Sequence, residues 1–330
     1  MSSNFRYTFK LASLTERIDY ENKIFSIGSC FSQNISEKMR YLKFDVFTNP
    51  FGITYNPLSI ALGLERILAQ KLYTENDLFF HNDLWNSFDH HSDFSSPEKE
   101  DVLKNINEHL QISHNYLLNA QTIIITFGTA YYYALKENGK VVNNCHKVTE
   151  KNFSHLLFGS HEIVARFSAV IEKIRSVNIS ANFIFTVSPV IHRNLSAEKN
   201  TFSKSHLIIA CHELCNNFEK VNYFPAYELM LNDLRDYRFY KADMLHPNET
   251  AIDYIFEKFT ECCIEKSSML LMQQILQLKN NLSHKPRNVG SAAHQKFLQQ
   301  QLAIIKRISE KNSYLNFGEE LRQIGMQLLN

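Results

Sequence analysis

The run Thr122-Ile123-Ile124-Ile125-Thr126-Phe127, closed by Gly128, constrains this chain most. It carries no charge and is almost wholly β-branched or aromatic. Such a run cannot offer one face to water, so it fits a central parallel strand covered on both sides. A second run, Asn182-Phe183-Ile184-Phe185-Thr186-Val187, is stopped by Ser188-Pro189. Shorter strands are expected over 23–27, 44–48 and 221–224. Between them the apolar spacing turns helical, over 30–41, 56–70, 96–119, 160–177, 200–218 and 247–263. Five strands alternating with helices predict an α/β class, a three-layer α/β/α fold with a mostly parallel five-stranded sheet. Ligands of such folds bind outside the carboxyl ends of the strands. Those ends are Ser29, Gly52, Gly128, Ser188 and the segment after Phe224, all expected to face one crevice.

The bulk properties narrow the class further. The chain has 330 residues and a net charge of +1, which gives no electrostatic case for nucleic acid or an anionic membrane. The first ten residues hold Arg6 and Lys10 but no apolar core, and no stretch is long and apolar enough to span a bilayer. A cytoplasmic protein with no membrane partner is therefore expected. Cys30, Cys145, Cys211, Cys215, Cys262 and Cys263 form no Cys-x-x-Cys pair and read as free thiols in a reducing compartment. No zinc-type spacing occurs, and no cofactor is expected.

Chemistry concentrates at two places. Ile24 to Ile27 reads as a strand, Gly28 breaks it, and Phe31, Ile35, Met39 and Leu42 then keep helical spacing. Ser29 thus stands at the tip of a strand where a helix begins, beside unpaired N–H groups that suit an oxyanion. Acyl-transfer enzymes build nucleophiles this way, but Ser is also a favoured helix N-cap. The second place is Asp243-x-x-His246, in a loop before a helix opened by Pro247. Three-residue spacing lets the carboxylate reach one ring nitrogen while the other faces the crevice. The plainer alternative makes His246 a helix cap and Asp243 a surface carboxylate.

Gly28-Ser29-Cys30-Phe31-Ser32 resembles the signature of the GSCFA family, departing at Ser32, where the family has Ala. Asn49-Pro50-Phe51-Gly52, Trp85 to Ser92, Phe127 to Ala130, Asn144 to Lys147, Ser188-Pro189-Val190, Tyr223 to Glu228 and Leu234 to Pro247 resemble further segments of it. The resemblance covers roughly Phe25 to Phe259. It implies kinship with the SGNH hydrolases, lipase- and esterase-like enzymes of flavodoxin-like fold. From about Glu265 the character changes, with Leu270 to Leu278 rich in Leu, Met and Gln, so a GSCFA domain over 1–264 and a helical C-terminal extension over 265–330 are expected. By the same likeness Ser29 takes the nucleophile's place, His246 the base's and Asp243 the orienting acid's. SGNH enzymes usually show Gly-Asp-Ser where this chain has Gly28-Ser29-Cys30. The oxyanion Asn usual in SGNH enzymes has no counterpart in Gly128-Thr129-Ala130. Thr129, or backbone N–H groups of Ser29 and Gly52, would have to replace it.

Other residues complete the expectation. The stretch 71–96 reads as irregular and aromatic-rich, a pocket wall over Ser29 carrying His90 and His91. Asp89-His90-His91-x-Asp93 is also a possible metal set. His192 is a crevice candidate. Cys30 would sit at a helix start that lowers thiol pKa, but is expected to point away from Ser29 into the core. The expected activity is hydrolysis of a small or carbohydrate-borne ester, through Ser29, His246 and Asp243. A non-catalytic binder on the same fold, and a metal-dependent enzyme using His90 and His91, are the alternatives. The C-terminal helices are expected to pack on the domain or to form a homodimer.

Overall fold

A computed structural model describes residues 7–284 and 286–329. In chain order its elements begin with β1 (Lys23–Gly28), α1 (Cys30–Tyr41), β2 (Asp45–Thr48), α2 (Pro57–Leu68), β3 (Leu78–His81), β4 (Leu84–Ser87) and α3 (Lys99–Asn119). There follow β5 (Thr122–Phe127), β6 (Tyr131–Leu135), β7 (Val141–Val142), β8 (Phe153–Leu157), α4 (Ser160–Val177), β9 (Asn182–Val187), α5 (Ala197–Asn217) and β10 (Val221–Phe224). A helical turn α6 (Ala226–Glu228) precedes α7 (Glu249–Cys263), α8 (Lys266–Ser283), α9 (Ala292–Lys311) and α10 (Gly318–Gly325).

The five expected strands form one parallel sheet, in the order β10-β9-β5-β1-β2. The chain runs from β1 outward to β2, then crosses back to lay β5 on the other side of β1. Strand order therefore reverses between β1 and β5, and the crevice of such a sheet opens at that point.

The continuous apolar runs split by their period of two. Ile123, Ile125 and Phe127 face a core shared with Ile60, Leu110, Phe167 and Leu207, from α2, α3, α4 and α5. Ile124, Ile24 and Ile184 face the other core, with Phe31, Met39 and Phe259 from α1 and α7. Ile275, Leu278, Leu298, Ile305 and Ile324 of α8, α9 and α10 belong to that second core. Glu320 of α10 is 3% exposed and receives Lys43 Nζ at 2.7 Å and Lys279 Nζ at 2.9 Å. Among the described residues no helix is long and apolar enough to cross a membrane.

One stretch differs from the sequence reading, and one adds to it. Residues 78–87 are not irregular: β3 and β4 form an antiparallel hairpin. Beyond β5, strand β6 is the centre of a three-stranded antiparallel sheet with β7 and β8.

Candidate active site

β1 ends in Gly28, whose φ of +149° and tight packing admit no side chain. A Cβ there would stand 2.2 Å from the Thr126 carbonyl oxygen of β5. Asn49, just past β2 and itself at φ 50°, clamps this turn. Its Oδ1 accepts the Gly28 N–H at 2.8 Å, and its N–H donates to the Ser26 carbonyl at 2.9 Å. The Asn-Pro-Phe-Gly segment is thus a fastener for the junction as well as a turn.

Ser29 is the N-cap of α1. Its Oγ accepts the Phe31 N–H at 3.3 Å, and its own N–H donates to the Thr126 carbonyl at 3.2 Å. Ser29 is 1% exposed. Cys30 departs from expectation: it is partly exposed and lines the crevice instead of packing in the core. The reason is helix geometry. Side chains lean toward their helix's N-terminus, so the first residue of α1 projects beyond the sheet edge.

The Asp243-x-x-His246 loop is a tight turn, with Met244 at φ 59°. Asp243 Oδ1 accepts the N–H groups of Leu245 at 2.9 Å and His246 at 3.1 Å, while Oδ2 accepts His246 Nδ1 at 2.6 Å. The amide of Leu245, then the amide and ring of His246, hold the Asp243 carboxyl well below the usual carboxylate range. The carboxylate can only accept, so Nδ1 carries the proton and Nε2 is left as a base. His246 does not cap α7; Asn248 does, its Oδ1 accepting the Ala251 N–H at 3.1 Å. The Ile191 N–H, bonded to the Leu245 carbonyl at 3.1 Å, ties this loop to the segment after β9.

The crevice at the carboxyl ends of β1, β5 and β9 is a cleft of about 310 Å³. Ser29, Cys30, Gly128, Ser188, His192, Asp243 and His246 all line it. Residues more than two hundred positions apart are thereby brought together. Among the described residues no hydrogen bond joins Ser29 Oγ to His246.

Several candidates lie elsewhere or are already engaged. Gly52 is outside the cleft; its N–H donates to the Asn49 carbonyl at 2.8 Å, and a Cβ on it would meet His91 Cβ at 2.3 Å. The N–H groups of Gly128 and Thr129 both go to the Tyr55 carbonyl, at 2.7 and 3.1 Å. Thr129 Oγ1 lies 3.2 Å from Ser203 Oγ in a buried pair. The oxyanion donors expected at Ser29, Gly52 and Thr129 are therefore spent on fixing loops. His90 is 1% exposed, bonded by Nδ1 to Ser87 Oγ at 3.0 Å and packed on the rings of Tyr73, Phe94 and Phe51. Burial keeps it well below the ordinary imidazole range, so it is a neutral core residue. His91 pairs with Asp93 at 3.0 Å. Neither histidine lines the cleft, and among the described residues no group of three or more His, Cys, Asp or Glu could hold a metal ion. The aromatic stretch is thus not a wall over Ser29.

The model of the GSCFA family matches residues 23–259, about 72% of the chain's 330 residues. The chain belongs to the GSCFA family. The model of the GSCFA domain protein, C-terminal domain, matches residues 275–330 of this GSCFA protein. No curated protein matches it. Among solved structures it is similar to an acetyl xylan esterase from the rumen bacterium Butyrivibrio proteoclasticus, with 12% identity and a TM-score of 0.37. That likeness covers 80% of the GSCFA chain but 65% of the esterase, so less than two thirds of the latter is spanned.

Lys204 is the residue of this GSCFA protein that sequence reasoning missed. It is 2% exposed beneath the cleft, and its Nζ donates to the Gly128 carbonyl at 2.6 Å and the Ser188 carbonyl at 2.7 Å. One ammonium thereby ties together the ends of β5 and β9. The signal was present: Lys204 falls in step with Leu207, Cys211 and Leu214 on the buried face of α5. Burial pushes its pKa down to about 7, with Cys30 acting the other way. The unfolded chain keeps an ordinary lysine near 10.4. Between these values the unfolded state binds a proton that the folded state lacks, so this group's contribution rises with pH and its cost is full below about 7. The stability of the wild type relative to Lys204→Met should therefore improve between pH 7 and 9, by up to about 1.4 kcal/mol per unit. Chemical denaturation at both pH values checks this; a difference independent of pH would contradict it.

Proposed function

We propose that this GSCFA protein is an acyl-ester hydrolase acting on a small or carbohydrate-borne ester. The β1–α1 junction supplies the nucleophile, from Ser29 or from its neighbour Cys30. His246 takes the nucleophile's proton at Nε2 and returns it to the leaving alcohol, while Asp243 holds the ring by Nδ1. The observation that carries the reading is the 2.6 Å Asp243–His246 pair in the same cleft as that junction. A cleft of about 310 Å³ suits a short acyl group, and Val190 and Ile191 give it an apolar wall. The exposed Arg193 at the same cleft adds a cation.

A second reading, a ligand-binding protein without turnover, is favoured by one observation: the N–H groups of Ser29, Gly128 and Thr129 are all engaged. Two donors answer it. The N–H of Cys30, first in α1, has no backbone acceptor among the described residues. His192 lines the cleft, and burial keeps its pKa below the usual range, so its neutral ring has an N–H to give.

Hydrolysis of p-nitrophenyl acetate decides between the two. His246→Ala should lower kcat by about 10²–10⁴-fold with an unchanged circular dichroism spectrum. Turnover that survives this change would overturn the hydrolase, and a wild type that binds but never hydrolyses esters would favour the binder.

A further inference from the structure

We infer that the attacking group is the thiol of Cys30, and that Ser29 is the cap that holds it in place. The inference rests on the hydrolase reading for the reaction it names.

The two adjacent residues have divided their roles. Ser29 is 1% exposed, its Oγ accepts the Phe31 N–H at 3.3 Å, and its amide is bonded to Thr126. To attack a carbonyl carbon it would have to abandon the cap of α1. Cys30 is partly exposed in the cleft that Asp243 and His246 also line. Among the described residues no other thiol lines that cleft.

The surroundings suit a thiolate formed on demand. Cys30 is the first residue of a twelve-residue helix, whose N-terminal field favours a negative sulfur. The N–H groups of Phe31 and of Cys30 itself, then Lys204, buried beneath the cleft on Gly128 and Ser188, and the exposed Lys241, act on Cys30 in the same sense. Burial outweighs these influences and raises the thiol's pKa, so the resting sulfur is protonated. A base is therefore needed, and Nε2 of His246 supplies it: of the two imidazoles lining the cleft, His246 is the one oriented by a carboxylate, through Nδ1 to Asp243.

The chemistry balances without a further reagent. As Sγ bonds to the ester carbonyl carbon, the thiol proton passes to His246 Nε2. The acyl–oxygen bond breaks, and the imidazolium returns that proton to the departing alkoxide. Water then attacks the thioester, giving its proton to His246. The C–S bond breaks, and the thiolate recovers the proton from His246 as the acid is released. The oxyanion of both steps is met by the Cys30 N–H, which is fixed to the nucleophile's own backbone.

The test reads the position of the acyl group. Wild-type protein mixed with p-nitrophenyl acetate and quenched in acid should carry one acetyl on the peptide containing Cys30, labile to neutral hydroxylamine. Ser29→Ala should still accumulate this adduct, and Cys30→Ala should lose turnover by about 10³-fold. An acetyl or fluorophosphonate adduct on Ser29, with Cys30→Ala still turning over, would overturn the inference and leave the hydrolase reading intact. A readout free of turnover separates the remaining cases. Iodoacetamide should alkylate Cys30 faster than the partly exposed Cys145 and Cys215, and His246→Ala should slow it at least tenfold. If esters are not cleaved while alkylation still depends on His246, the hydrolase reading fails and the thiol–imidazole pair stands. Equal rates with and without His246 would overturn the pair itself.

Discussion

Asp243→Asn is expected to cut ester turnover by about 10³–10⁴-fold while leaving the fold in place. Asparagine keeps an oxygen for the N–H groups of Leu245 and His246, now held at 2.9 and 3.1 Å, so the turn survives. The atom facing His246 Nδ1 becomes an amide nitrogen, a donor against a donor. The imidazole must then place its proton on Nε2 and accept at Nδ1, and Nε2 is lost as a base. Asp243 is a surface carboxylate with a side chain 33% exposed, so thermal stability should move by only a few degrees. Steady-state kinetics beside a melting curve check both halves. A loss of less than tenfold would show that the carboxylate does not govern the imidazole.

Gly28→Ala should be the most damaging single change to the scaffold. The new Cβ would meet the Thr126 carbonyl oxygen at 2.2 Å and the Thr126 Cβ at 2.8 Å, at a φ of +149°. Both neighbours belong to a fully paired central strand and cannot retreat cheaply. Overpacking and backbone strain together should cost roughly 3–5 kcal/mol, a large share of an ordinary domain's stability. Gly139→Ala is the matched control. Its φ of +71° is strained, but nothing lies within 4 Å, so only about 1–2 kcal/mol is expected. Urea midpoints of the two variants compare them directly; a similar small shift for both would mean that β1 and β5 can part.

What the sequence disclosed follows from the range of the interactions involved. The five sheet strands were legible because two-sided burial demands unbroken apolar runs, as in Thr122–Phe127. The hairpin at 78–87 was not legible, because its turn residues Asn82 and Asp83 adopt φ of 51° and 60° without a glycine to announce them. The pairing of Tyr131–Leu135 with Phe153–Leu157 is settled by contacts across a long intervening loop, and no local pattern encodes it. In the cleft, the Asp243–His246 spacing could be read because both partners share one turn. Cys30 could not be placed. A side chain at a helix start is core or crevice according to what the neighbouring strand ends leave open, and the ends of β5 and β9 line that cleft from elsewhere in the chain. His90 misled because a polar residue among aromatics reads as a rim, whereas Ser87 Oγ lets it be buried.

The ion cluster around Glu320 has a mechanical consequence. One of its cations, Lys43, comes just after α1, and the other, Lys279, lies in α8. Helix α1 is therefore a strut about 18 Å long, pinned at its head by the Ser29 cap and the Asn49 clamp on Gly28, and stapled near its foot by α10. Loosening that staple would let the strut tilt about the crowded Gly28 pivot. The displacement would be greatest at the foot, and the side chain of Cys30 beside the pivot would turn with it, so the last helix is coupled to a group 290 positions before Glu320.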